Sequence, residues 1–388
     1  MRDNVQDGTG TELALRCAER AMGALVAMVQ SDGWPGAEPS EHQRSGLTGG
    51  WAGAAWALAS LGRALDDGAL RAAGERAAYR IGVVDESGLL TGAAGVRVAR
   101  HACGLGVDEP TSMPRGADLG AGAAGVLLAQ VRCGADPDPA LVRLVARGAR
   151  PREVGWGWAD ATDPHEWDPA PQCGVRDGTS GVVLALAEAS DGLPLQPIGE
   201  LIERGLDWEA SCLQGRSDVP IGWAHGVAGA TAVRLRLAEL ARGERERHGG
   251  GALSAMGERL AREADEGVRR CQEAVDRLTG EAGGDERGVG LGRRERLDGA
   301  PGDGLGDCSL GTGVAGLVDA LLLAGTAPAR GSAERLLEAV VGRHGPDPAA
   351  WPGGSGPGLF DGLAGVAVVL ARLARPAAAI GSPSLLLP

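Results

Sequence analysis

Lysine is absent from this chain: all 38 of its basic residues are arginine. Without a lysine amine, Schiff-base chemistry and a Walker-type phosphate loop are excluded. Aromatic residues are nearly as scarce, with one Tyr (Tyr79) and one Phe (Phe360) beside 9 Trp. The core must then be built from Ala, Leu and Val, which favours closely packed helices. The same scarcity argues against a glycan enzyme on a helical toroid, whose cleft needs aromatic platforms beside paired carboxylates. Positive charge is outweighed, and the net charge of -13 argues against nucleic acid as a partner, because phosphate neutralisation needs a basic face. The seven cysteines (Cys17, Cys103, Cys133, Cys173, Cys212, Cys271 and Cys308) form no CxxC pair. Neither a disulfide framework nor a zinc ribbon is supported. No apolar run approaches the ~18–20 residues of a membrane span, and the opening MRDNVQDGTGTE has no signal pattern, so a cytoplasmic protein is expected.

What the chain has in excess is glycine, 66 of 388 residues, about twice the usual share of ~7%. The glycines are patterned. A G-x-x-G followed by an apolar run recurs at Gly50–Gly53, Gly92–Gly95, Gly122–Gly125, Gly178–Gly181, Gly226–Gly229, Gly313–Gly316 and Gly362–Gly365. Successive copies are 42, 30, 56, 48, 87 and 49 residues apart; four of the six steps fall between 42 and 56, a length that fits one helical hairpin. The 30-residue step leaves little room for an outer helix, so one hairpin is expected to be abbreviated.

After each motif the chain is apolar on nearly every side, as in 182–186 and 366–370, which suits an inner helix buried all round. Stretches such as 198–204 and 332–341 carry one charged face and read as outer helices. Glycines at i and i+3 share one side of the first helical turn, where a missing Cβ lets backbones approach closely. The expected fold is all-α, an α/α toroid with a double ring of about seven helical hairpins. It forms one domain over 1–388, with repeats over about 45–375 and with segments 1–10 and 376–388 expected to be disordered. Periodicity alone does not separate a closed ring from an open solenoid.

The fifth copy, Ile221-Gly-Trp-Ala-His-Gly-Val-Ala-Gly229, resembles the G-x-A-H-G-x-x-G segment of lanthionine synthetase C-like proteins. With the seven G-x-x-G copies and the closing Leu359-Phe-Asp-Gly-Leu-Ala-Gly-Val366, the resemblance spans roughly 45–375. It implies a double ring of helices that closes thioether rings in a dehydrated precursor peptide, by adding a Cys thiol to dehydroalanine or dehydrobutyrine. In that family a zinc ion activates the thiol, held by a W-C-x-G motif and a later C-H-G motif. Here the second motif falls on Gly311 and Thr312, within Asp307-Cys-Ser-Leu-Gly-Thr-Gly313, so its thiolate and imidazole are missing. The first is expected in the 87-residue step, which holds Cys271 but no W-C pair. Three scattered thiols, Cys173, Cys271 and Cys308, make a poor zinc site without a spaced His. No resident cofactor is expected, zinc included.

The resemblance places His225 at the ring's mouth as the general acid–base group. Asp118, in the D-x-x-x-G spacing before Gly122, and Asp177, one residue before the fourth motif, compete as its acidic partner. Trp223, Arg176, Thr312 and Cys308 are the expected substrate contacts, and Arg176 or Arg115 could steady a thiolate or enolate. Two functions follow. One is a zinc-independent lanthipeptide cyclase that confines the peptide and manages protons through His225. The other is a non-catalytic scaffold that binds precursor peptide and a kinase- or lyase-type dehydrating enzyme.

Overall fold

The computed structural model describes residues 9–31, 34, 41–106, 113–114, 116–158, 174–190, 195–213, 220–280 and 305–387. Arg115 and Cys173 lie outside the described residues. Seven helices begin at the second residue of a G-x-x-G motif or one beyond the first glycine: α3 (Trp51–Ala64), α5 (Ala93–Ala102), α6 (Ala123–Arg132), α8 (Thr179–Ala189), α10 (Val227–His248), α13 (Val314–Leu323) and α15 (Leu363–Ala374). They are the inner helices. Every residue of α15 except Arg372 is buried, as the unbroken apolar run requires.

The outer layer is α1 (Thr9–Gln30), α4 (Gly68–Tyr79), α7 (Pro139–Gly148), α9 (Leu195–Leu213), α12 (Gly257–Thr279) and α14 (Ala327–His344). Short helices α2 (Glu41–Ser45) and α11 (Ala252–Ala255) link the layers. On α12 burial is confined to Leu260, Ala264, Cys271, Ala274 and Val275, a single stripe with charge elsewhere. Between α5 and α6 no helix occurs among the described residues; 107–112 and 115 lie outside them. A small antiparallel pair, β1 (Ala149–Pro151) and β2 (Trp156–Trp158), was not legible in the sequence. It is fastened by Trp158, whose Nε1 donates to the Val145 carbonyl at 2.8 Å.

The second glycine of each motif has a local cause. In all seven copies the position a Cβ would take lies 2.0 to 2.6 Å from the carbonyl oxygen six residues earlier, for instance 2.0 Å from that of Val175 at Gly181. A methyl group there would collide with backbone, which is not free to move. At Gly53 the same point is 2.2 Å from the backbone nitrogen of Leu359, so the first motif also seats the last turn.

The ring is closed. Inner helices pack in the order α3, α5, α6, α8, α10, α13, α15 and back to α3. The turns before them are joined by a cycle of backbone hydrogen bonds. Thr48 donates to Leu90, Leu90 to Gly120, Gly120 to Arg176, Arg176 to Ala224, Ala224 to Gly311, Gly311 to Phe360 and Phe360 to Thr48, over 2.8 to 3.1 Å. Each member stands two residues before a first glycine, and the last bond returns the chain to its first repeat. An open solenoid has no such bond.

The C-terminal segment, expected to be disordered, instead fills the ring. Arg132 of α6 donates to the carbonyl of Leu385, while Asp319 of α13 accepts from the hydroxyls of Ser382 and Ser384. Helices α6 and α13 are three places apart around the ring, so a segment held by both lies inside it. Arg372 of α15 pairs with Asp319, and the apolar Leu385 and Leu386 are buried. The segment's own buried serines and Arg372 together satisfy a carboxylate on an otherwise apolar helix, the serines at Oδ2 and Arg372 at Oδ1.

Candidate functional site

The seven-fold bond cycle fixes what faces the mouth. Each residue immediately before a first glycine, namely Gly49, Thr91, Ala121, Asp177, His225, Thr312 and Asp361, is exposed or half-exposed, while every first glycine behind it is buried. These seven positions form the rim. Four consecutive members, Asp177, His225, Thr312 and Asp361, are polar, and three of them are ionisable; the other three are Gly49, Thr91 and Ala121, none ionisable.

At the centre of the polar arc, His225 Nε2 is 3.8 Å from Asp177 Oδ2. Its Nδ1 is buried and makes no hydrogen bond among the described residues. The turn is held from behind by Gly174, at φ +154, whose Cβ position lies 2.3 Å from the Ala224 carbonyl and 2.4 Å from His225 Cα. No side chain fits there. Arg176 Nε is 3.3 Å from the same Asp177 Oδ2, and the Arg176 side chain is nearly half exposed. One carboxylate oxygen thus faces both an imidazole and a guanidinium.

Thr312 donates to Asp307 Oδ2 at 2.5 Å, and Asp307 Oδ1 accepts from the Ser309 backbone at 2.8 Å. Asp361, which sequence reasoning passed over, completes the arc. It is exposed on the rim, yet the protein around its carboxyl desolvates it and raises its pKa, outweighing the lowering effect of Arg176, with Asp307 adding a smaller rise. The signal for Asp361 was present in the sequence as the residue preceding the seventh motif.

Other expected site residues are placed elsewhere. Asp118 is 2% exposed and its Oδ1 accepts from the backbone of Ala121 at 2.7 Å and Gly122 at 3.2 Å. That makes it a turn residue beneath the rim, which is what a D-x-x-x-G spacing builds. Trp223 is 1% exposed, stacks on Phe360 at 4.3 Å and donates from Nε1 to the Ser384 carbonyl at 3.0 Å. It belongs to the floor under the mouth, where it cannot contact a substrate. Cys308 is enclosed by Val314, Leu336, Val340 and Trp351, and burial pushes its thiol up to about 12. It is a packing residue. Cys271 is likewise buried within α12, with its thiol pushed to about 12 by burial.

The first zinc thiolate is expected in the 87-residue step, of which residues 281–304 lie outside the described residues. At the second motif Gly311 and Thr312 do not fit zinc, since neither offers a thiolate or imidazole and the Thr312 hydroxyl is engaged by Asp307. Among the described residues no group of three His, Cys, Asp or Glu is arranged to hold a metal.

No protein-family model and no curated protein sequence matches this chain. Among solved structures it is similar to a nisin cyclase, with a TM-score of 0.58 and 13% identity over 96% of this chain and 97% of that one. At that identity the likeness is one of fold. It extends over nearly the full length of both proteins, and no helix among the described residues is long and apolar enough to cross a membrane.

Proposed function

We propose that this chain is a peptide cyclase that closes lanthionine-type thioether rings at the polar arc of the rim without a resident zinc ion. The observation that carries the proposal is the His225–Asp177 pair, 3.8 Å apart on neighbouring turns. It is supported by the fold shared with a protein named for a cyclisation and by the resemblance of 221–229 to a lanthionine synthetase segment.

The step requires proton transfer in two directions. A Cys thiol of the peptide, of ordinary pKa ~8.5, gives its proton to His225 as its sulfur bonds to the β-carbon of a dehydro residue. The alkene's π electrons move to the α-carbon as an enolate, and His225 returns the proton there. Nothing is gained or lost in mass. Asp177 steadies the imidazolium that exists between the two transfers, and Arg176 faces the forming enolate. The 3.8 Å separation is longer than a hydrogen bond, which leaves Nε2 open to the thiol while Asp177 acts on the ring through its charge. Confinement of thiol and alkene supplies a further share of the rate.

The test is to incubate purified protein with a dehydrated peptide that carries one Cys, following free thiol by alkylation and mass by spectrometry. Loss of thiol without mass change, surviving prior treatment with a zinc chelator, is expected. Thiol that persists at the uncatalysed rate while the peptide still binds would replace this reading with the scaffold, and activity abolished by chelator and restored by zinc would overturn its zinc-free part.

A further inference from the structure

The segment lodged inside the ring contains a short turn that connects the ring's frame to the floor of the mouth. Pro383–Leu385 form a single 3₁₀ turn, with Leu386 donating to the Pro383 carbonyl at 3.2 Å and Leu387 to that of Ser382 at 3.0 Å. A turn this short leaves its last carbonyls without partners of its own. Both are taken by the ring. Leu385 accepts from Arg132 Nε of α6 at 3.2 Å, and Ser384 accepts from Trp223 Nε1 at 3.0 Å. The start of the turn is held by α13, where Asp319 Oδ2 accepts from the Ser382 hydroxyl at 2.6 Å and from the Ser384 hydroxyl and backbone nitrogen. Leu386, which follows, stands in the left-handed region at φ +50 and is 3% exposed. That conformation is unfavourable for a bulky side chain and persists where the surroundings over-determine it.

Trp223 stands two residues before His225 on the same turn of the mouth. Its ring stacks on Phe360, which immediately precedes Asp361. A single stack therefore lies beneath the turns of two rim members. The backbone bonds that tie these turns, Ala224 to Gly311 and Phe360 to Thr48, run around the ring. The indole bond to Ser384 runs into it, and so adds a constraint in a direction the cycle does not supply. A buried indole N–H needs an acceptor, and the carbonyls of the inner helices are spent within those helices.

We propose that the 382–387 turn is a positioning element of the mouth: its Ser384 carbonyl seats the Trp223–Phe360 stack, and the stack sets the orientation of His225. The value of that orientation for proton transfer rests on the cyclase reading given above, whereas the seating itself rests on the bonds from Asp319 through Ser384 to Trp223. Buried beneath the rim, the turn acts through Trp223 and not on the substrate. A misplacement of about 1 Å can cost on the order of 10²-fold in rate, so a seat of this kind bears directly on ring closure.

The test uses the full-length protein, isotope-labelled at histidine, with the His225 ring signal assigned by His225→Gln. Ser382→Ala/Ser384→Ala releases the turn from Asp319 while leaving every aromatic ring in place, so a change at His225 reports orientation. The His225 signal is expected to move in that variant, with His101 of α5 unmoved, and to keep its parental position in Ser384→Thr, which retains the hydroxyl. In the ring-closure assay the double-serine variant should lose about tenfold or more in kcat with KM within about threefold of the parent. Trp223→Phe, which keeps a ring for the stack and removes the donor, should share the loss, and combining it with the serine changes should add little. Should either variant not fold by circular dichroism, Ser384→Ala alone, which leaves Ser382 on Asp319, carries the test with the same expectation at His225. A His225 signal unmoved in a folded serine variant, a shift that Ser384→Thr reproduces, or defects that add in the combined variant overturns the proposal. The two readings fail separately. A His225 signal that follows the turn in a protein that closes no ring sinks the cyclase and leaves the positioning, and ring closure with His225 indifferent to the turn does the reverse.

Discussion

The two arcs of the rim are built differently all the way down. On one side Asp177, His225, Thr312 and Asp361 stand over α8, α10, α13 and α15, which are tied by buried ion pairs. Glu188 of α8 accepts from Arg132 of α6 and Arg236 of α10, and Arg234 joins α10 to Glu209 of α9. On the other side Gly49, Thr91 and Ala121 top an arc that includes α3, where Gly74 of α4 approaches so closely that its Cβ position is 2.9 Å from the backbone of Ala59. The ion pairs gather on α8 and α10 under the arc that carries chemistry and reach into the other arc only at Arg132 of α6, while the close approach of Gly74 belongs to the arc that carries none. Seven equivalent turns therefore supply a scaffold, and the residue before each first glycine can vary because the fold asks nothing of it.

The largest effect should come from the centre of the polar arc. His225→Ala is expected to slow ring closure by roughly 10²–10⁴-fold, the usual contribution of a general acid–base group, with unchanged thermal unfolding. Asp177→Asn should share that defect, and the double variant should add little to it, as partners acting together do. Asp118→Ala belongs in the same assay for contrast. Its loss should lower the unfolding midpoint through the turn it caps, by about 1–3 kcal/mol, and leave the rate alone. If Asp118→Ala slows ring closure in proportion to His225→Ala while the midpoint holds, the assignment of partners made here is reversed.

Acid should loosen the charged arc first. Desolvation alone would raise the Glu188 pKa, but hydrogen bonds and charge from Arg132 and Arg236 more than offset it, and the carboxyl falls from 4.5 to about 2. A carboxylate depressed in the folded state contributes stability that is fully present above 4.5 and is lost as the pH falls toward 2. At 1.36 kcal/mol per pH unit this amounts to about 3 kcal/mol. Urea midpoints measured across that window should fall steeply for the parent and less steeply for Glu188→Gln. Hydrogen exchange should quicken in α8 and α10 before α3 and α4, and simultaneous loss in both arcs would show that the difference between them has no thermodynamic content.

On the small-residue arc the effect should be steric and indifferent to pH. Gly74→Leu is expected to cost about 1–3 kcal/mol by overpacking against Ala59, the same at pH 7 and pH 4. This contrast also marks what the sequence could disclose. The repeat was legible because its cause is local, a carbonyl six residues before each second glycine, and inner and outer helices were legible because burial writes itself into apolar periodicity. Closure was not, since it depends on Phe360 donating to Thr48 across the whole chain. Nor was the lodging of 382–387 inside the ring, where Asp319 on an otherwise apolar helix accepts from serines of the far terminus. Trp223 read as a substrate contact, yet its side chain is buried and goes down to Phe360 and Ser384.

The smallest expected effect tests where the polar arc ends. Asp361 is the fourth member, and its carboxyl shares the field of Arg176 with Asp177 while burial and Asp307 raise its pKa. It touches neither His225 nor Asp177 through a recorded bond, so a direct proton transfer is not expected of it. Its charge should act on the mouth as a whole. Asp361→Asn removes a carboxyl group from the rim, so at neutral pH it should leave kcat within about tenfold of the parent and shift the pH dependence of the rate. For an acid whose folded pKa is raised, ionisation opposes folding, so stability is greatest below the unfolded value and declines as pH rises through the folded one. The variant should remove that decline and unfold at a slightly higher temperature above it. Thr91→Ser, at the matching position of the opposite arc, should change neither quantity. If Asp361→Asn proves as silent as Thr91→Ser in both rate profile and stability, the polar arc is the three residues Asp177, His225 and Thr312, and Asp361 belongs with the scaffold.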